Sequence, residues 1–124
     1  MKYETEKLLE VLGYHNTIIV GLDFDDTIFP LSNNEGIKKR CEKVKDLIYS
    51  VKDKITLCLY TVADEQSLLY KKKLMELWEI PPAYINKSPV KLGDGTKPYF
   101  NILLDDKAGL NEAIEILTEF KNNL

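Results

Sequence analysis

The stretch that most constrains this chain is Thr17-Ile18-Ile19-Val20-Gly21-Leu22, which runs straight into Asp23-Phe24-Asp25-Asp26-Thr27. Its β-branched and apolar residues fall at odd and even positions alike. A strand apolar on both faces suits the centre of a sheet with helices packed on each side. The abrupt change from apolar to acidic then marks the carboxyl end of that strand.

The other segments agree with such a sheet. Residues 5–12 carry Leu8, Leu9, Val11 and Leu12 and read as a short helix capped by Gly13. From Glu35 to Val51, Ile37, Cys41, Val44, Leu47, Ile48 and Val51 form a stripe of helical period. Ile55-Thr56-Leu57-Cys58-Leu59-Tyr60 is a second buried strand. A helix over 64–79 places Tyr70, Leu74, Leu77 and Trp78 on one face and ends at Pro81-Pro82. On this reading Tyr70, Leu74 and Trp78 are core, and Lys71-Lys72-Lys73 is the wet side of the helix. Short strands follow at Ala83-Tyr84-Ile85 and at 99–104. Leu110, Ala113, Ile114, Leu117 and Phe120 give the last helix an i, i+3, i+4, i+7 face. Alternating strands and helices imply an α/β fold, a Rossmann-like three-layer sandwich with a mostly parallel sheet. In such sheets ligands bind beyond the carboxyl ends of the strands, where the strand order reverses.

At 124 residues the chain fits one domain, 1–124, large enough to bury a core without disulfides. Cys41 and Cys58 lie on different predicted elements and read as reduced thiols, which suits a cytoplasmic protein. The net charge of −3 gives no general affinity for nucleic acid or anionic membrane. No apolar run approaches the ~18 residues of a membrane span, and the first residues lack the apolar core of a signal peptide.

Three strand ends are unusual: Asp23 to Thr27, then Thr61, then Asp105-Asp106. Parallel strands bring all three to one sheet edge and gather up to five carboxylates there. Like charges this close raise one another's pKa, so the cluster calls for a cation. Oxygen donors with few neutral partners suit Mg²⁺, which keeps several waters and works with phosphate oxygens. In an extended chain Asp23 and Asp25 project to the same side. One can attack phosphorus to give an aspartyl-phosphate while the other donates and takes a proton. A hydroxyl such as Thr61 and a lysine ammonium would hold the phosphoryl oxygens.

These residues resemble the motifs of the haloacid dehalogenase (HAD) superfamily over almost the whole chain, from about Thr17 to Phe120. Asp23-Phe24-Asp25-Asp26-Thr27 is similar to its first motif, Thr61 to its second and Asp105-Asp106 to its acidic fourth. The third-motif lysine is best matched by Lys97, with Lys91 and Lys87 as alternatives. The resemblance implies a HAD-like core and a Mg²⁺-dependent phosphomonoester hydrolase. Asp23 would be nucleophile and metal ligand, and Asp25 acid, then base, with its backbone carbonyl on the metal. Asp105 would complete the metal site, with Asp106 a ligand through water or an orienting group behind it, Thr61 and Lys97 would bind the phosphoryl group, and Thr27 would shape the loop. Asp26 stands where many members have glycine.

Only residues 28–36 separate the first motif from the next helix, and the Thr61–Lys97 interval is also short, so no cap domain fits. Capless members resemble enzymes acting on small phosphorylated substrates, nucleotides and polynucleotide ends among them, and an oligomer would be one way to cover the open site. A catalytically silent Mg²⁺- and phosphate-binding module is the alternative. A phospho-accepting receiver has its motifs in another order. The plain counter-readings are a solvated acidic turn for Asp23 to Asp26, a helix cap for Asp105-Asp106, a surface residue for His15, and packing for Tyr60. Asn86-Lys87-Ser88 would border the pocket from the end of its strand.

Overall fold

The computed structural model describes residues 1–89 and 99–124. In chain order these form α1 (Tyr3–His15), β1 (Ile18–Leu22), α2 (Glu35–Val51), a 3₁₀ turn (Lys52–Lys54), β2 (Ile55–Leu59), α3 (Glu65–Leu77), β3 (Tyr84–Ile85), β4 (Ile102–Leu104) and α4 (Leu110–Asn122). The four strands form one all-parallel sheet in the order β3-β2-β1-β4, so the fold is α/β with a parallel sheet, as expected. β1 pairs with β2 from Ile18↔Ile55 to Leu22↔Leu59, and with β4 from Val20↔Ile102 to Leu22↔Leu104. The chain moves outward from β1 to β2 and β3, then returns to β1's other side. The carboxyl end of β1 is therefore the point where strand order reverses.

Alternate strand residues build the core. Ile18, Val20, Leu22, Leu57, Leu59, Ile102 and Leu104 share one buried cluster with Leu8 of α1, Val44, Leu47, Ile48 and Val51 of α2, Met75 of α3, and Leu110, Ile114, Leu117 and Phe120 of α4. Gly21 lies on the alternate register, where an added Cβ would meet side chains of Leu103 and Phe100 at 3.2 Å. That close approach explains a glycine inside an otherwise β-branched strand. Cys41 and Cys58 are buried free thiols, and burial pushes both up to about 11. No helix among the described residues is long and apolar enough to cross a membrane.

Several local expectations need correction. α1 runs through Gly13 and ends at Asn16, whose φ of 61° lets its N–H reach the Leu12 carbonyl at 2.8 Å; asparagine is among the few residues that accept this left-handed cap. α3 stops before Pro81: Glu79 is left-handed, Ile80 N–H donates to the Met75 carbonyl and Glu79 N–H to the Glu76 carbonyl. That double bond pattern is a Schellman ending, so the prolines follow a helix already closed. β4 is shorter than the 99–104 strand because the Asn101 side chain accepts the Ile19 N–H at 2.7 Å. The inward face of α3 is also rotated from the expected one. Tyr70 is 57% and Leu77 76% exposed, whereas Lys71 and Met75 are buried. The reading of Lys71 as part of a wet face is wrong. Leu74 and Trp78 do pack against the core.

Candidate active site

The aspartate loop is built around one carbonyl. Phe24 C=O accepts N–H bonds from Thr27, Ile28 and Phe29, and Asp26 N–H donates to Phe29 C=O at 2.7 Å. This tight turn needs a left-handed residue, and Asp26 supplies it at φ 60°. Its carboxylate closes the loop, with Oδ1 accepting from Leu31 N and Ser32 N and Oδ2 from Ser32 Oγ. The Ser32 N–H, foremost, holds Asp26 below the usual carboxylate range. Asp26 is therefore the acidic-turn residue that the plain reading described. Asp23 and Asp25 are not.

Asp23 leaves β1 with its N–H on the Leu104 carbonyl at 2.9 Å, which ties it to β4 and to the aspartates that follow. Carboxylate oxygens of Asp23, Asp105 and Asp106 all lie within 4.8 Å of one another. Thr27, fully buried, stands between them. Its hydroxyl donates to Asp23 Oδ2 at 3.1 Å and accepts the Asp106 N–H at 2.9 Å. Burial, then the side-chain hydrogen bond with Asp106, push Asp23 up to about 6, and the charges of Asp105 and Asp106 push the same way. Such a cluster takes up either a proton or a cation. Asp105 and Asp106 do not cap α4. Its N-cap is Gly109 at φ 68°, with no side-chain cap bond.

The second half of the site lies over β2. Thr61 follows β2, and its N–H donates to Asn86 Oδ1 at 2.9 Å. Asn86 sits at the end of β3 with φ 52° and its own N–H on the Leu59 carbonyl. The strand-end asparagine thus fixes the strand-end threonine. Lys71 reaches in from α3, with Nζ donating to Thr61 Oγ1 at 2.8 Å and to Asp25 Oδ2 at 3.3 Å. Its side chain is 9% exposed and that of Asp25 44%. Nζ lies 5.2 Å from the Phe24 ring centroid, and Phe24 stacks with Phe29 and Trp78. An aromatic face under the ammonium offsets part of the cost of burying it.

The sequence-predicted residues thus form two joined groups: Asp23, Thr27, Asp105 and Asp106, and Asp25 with Thr61. Asp25 adds no carboxylate to the three-aspartate cluster. Lys97 and Lys91 lie outside the described residues. Lys87 is exposed and makes no ion pair with the aspartates. The described lysine that touches the site is Lys71, which sequence reasoning missed. The signal was present in the row Leu68, Lys71, Met75, Trp78, a helical i, i+3, i+7, i+10 face with one cation in it. A comparison with known protein families, with curated proteins and with solved structures gives no match.

Proposed function

We propose that this chain is a metal-dependent phosphomonoester hydrolase of the HAD type, with Lys71 as its phosphate-binding lysine. The observation that carries the reading is the convergence of Asp23, Asp25, Thr61, Lys71, Asp105 and Asp106 at the strand carboxyl ends, at the reversal point. A structural ion pair would not require a three-aspartate cluster beside it.

Asp23, Asp105 and Asp106 fit a hard divalent ion, since they offer only oxygen donors and repel one another without one. A Mg²⁺ held there would offset much of the carboxylates' charge and would polarise phosphoryl oxygens. Lys71 and Thr61 hold the phosphoryl group from the other side and stabilise its charge as it moves. Asp23, anchored by Thr27, attacks phosphorus; the P–O ester bond breaks and the leaving alkoxide takes a proton from Asp25. Water then attacks the aspartyl-phosphate, loses its proton to Asp25, and releases phosphate with Asp23 restored. Lys71 orients Asp25 for both transfers.

The test is phosphate release from an aryl phosphate with Mg²⁺. Activity is expected in the wild type, and loss in Asp23→Asn. No turnover across nucleotides, sugar phosphates and phosphorylated polynucleotide ends overturns the enzyme reading. Retained binding of beryllofluoride without turnover selects the silent module instead.

A further inference from the structure

A groove runs between α2 and α4. Its upper part, a cavity of about 580 Å³, is lined by Gly36, Lys39, Arg40, Lys43, Asn111 and Glu115 among others. Its lower part, about 430 Å³, shares Lys39 and Lys43 and adds Glu42, Asp46 and Lys121. From Gly36 to Asp46 that is about 15 Å of helix. Both helices begin at the strand carboxyl ends, so the upper part opens on the same edge as the candidate site. Arg40 lies near enough to Asp26 to help hold that carboxylate's pKa down.

The charges in the groove are unbalanced. Two of its acids already have cations, Glu42 with Lys45 at 2.9 Å and Glu115 with Lys2 at 3.6 Å. Lys39, Lys43 and Lys121 form no ion pair among the described residues, and Arg40 has only Asp26 within electrostatic reach at the groove's upper end, which leaves three cations against Asp46 in a chain of net charge −3. Arg40 Nε is also buried without a hydrogen-bond partner. Arg40 as a whole is half-buried and lines the upper part of the groove. α4 enters the upper part at Asn111 without a side-chain cap, so the positive end of its dipole adds to the field.

We propose that the α2–α4 groove is a binding site for a small, multiply phosphorylated anion, held by Lys39, Arg40 and Lys43. It rests on the preceding functional reading in one respect: this anion is the remote, non-reacting part of the substrate. Lysines at i and i+4 present two cations on one helix face, suited to successive phosphate groups. Unpaired cations concentrated on one short helix face favour a compact anion over a polypeptide.

The probe is inorganic tripolyphosphate, titrated without divalent metal into isotopically labelled full-length protein and followed by amide NMR shifts. Saturable shifts are expected at 36–43 and 110–114. Lys39→Gln/Lys43→Gln, at two exposed positions, should weaken binding roughly tenfold. Asp23→Asn should leave it unchanged, so a failed phosphatase reading and a failed groove are told apart. No saturable shift, or shifts at 23–27 that the double variant leaves intact, overturns the proposal. So does a short single-stranded oligonucleotide that saturates the groove at lower concentration than tripolyphosphate.

Discussion

Lys71 Nζ donates to Thr61 Oγ1 at 2.8 Å from a helix that begins only four residues after that threonine. The contact joins α3 to the end of β2 and carries Asp25 with it. It yields a prediction in which activity and stability move in different directions. Removing one preorganised donor to a developing anion costs about 10²–10³ in rate. Removing one partner of a buried ion pair is costly when the other charge stays buried, but the Asp25 side chain is 44% exposed and can return to water. Lys71→Met should therefore lower kcat/KM on an aryl phosphate by about two to three orders of magnitude with the melting temperature held or raised. Lys72→Ala and Lys73→Ala should change neither. An active Lys71→Met protein would reduce the lysine to a packing residue.

That lysine also marks where the sequence stopped being legible. β1 and the aspartate loop could be read because an uninterrupted apolar run ending in acids has few structural uses. The parallel sheet followed from alternating elements, and α2 and α4 from clean apolar stripes. Lys71 was hidden by its neighbours: in Lys71-Lys72-Lys73 charge alone cannot say which lysine faces inward, and Tyr70 and Leu77 suggested a competing face. What brings a cation inward is tertiary, the pairing of Asp25 and Thr61 beside the Phe24 ring. Asn86 was legible only as a strand-end neighbour, because its partner Thr61 is remote in sequence.

A second prediction concerns Asp23. Its folded pKa of about 6 lies above the ordinary 3.8, through burial first, then the Asp106 hydrogen bond. A raised carboxyl binds more protons folded than unfolded, so its contribution is fully present below 3.8 and is lost as pH rises through about 6. With chelator present, Asp23→Asn should melt higher than wild type at pH 7. After solvent screening of a partly exposed group the gain is about 1 kcal/mol, or roughly 3–5 °C at this size. The gap should close near pH 4. Adding Mg²⁺ at pH 7 should raise the wild type and leave the variant nearly unmoved. A pH-independent gap would mean the substitution acts through packing.

Asp26 should behave in the opposite sense. Its lowered pKa makes its contribution present above 3.8 and lost as pH falls through the folded value. Asparagine keeps an acceptor and tolerates the left-handed backbone, so Asp26→Asn should stay within about 0.5 kcal/mol of wild type. Asp26→Ala loses the bonds to Leu31 and Ser32 and strains at φ 60°, and should cost about 1–2 kcal/mol. The cost should shrink in melts taken below pH 4. Near-equal stability of the two variants at pH 7 would show that the side-chain acceptor does not hold the turn.

Asn86 offers the sharpest separation of positioning from folding. Its φ of 52° makes glycine the natural replacement for shape alone, while its Oδ1 holds the Thr61 N–H. Asn86→Gly keeps the backbone accessible and deletes the acceptor. If Asn86 is only a turn residue, Asn86→Gly should match wild type in both melting temperature and kcat/KM. If it positions Thr61, the fold should survive while kcat/KM falls about tenfold, as expected for roughly 1.4 kcal/mol of misplaced transition-state contact. Asn86→Asp, which keeps an acceptor oxygen at the same reach, should recover most of that loss. Because Lys71 binds the hydroxyl of the same threonine, Asn86→Gly combined with Lys71→Met should cost less than the sum of the two single losses. Additive losses would place the two residues in separate roles.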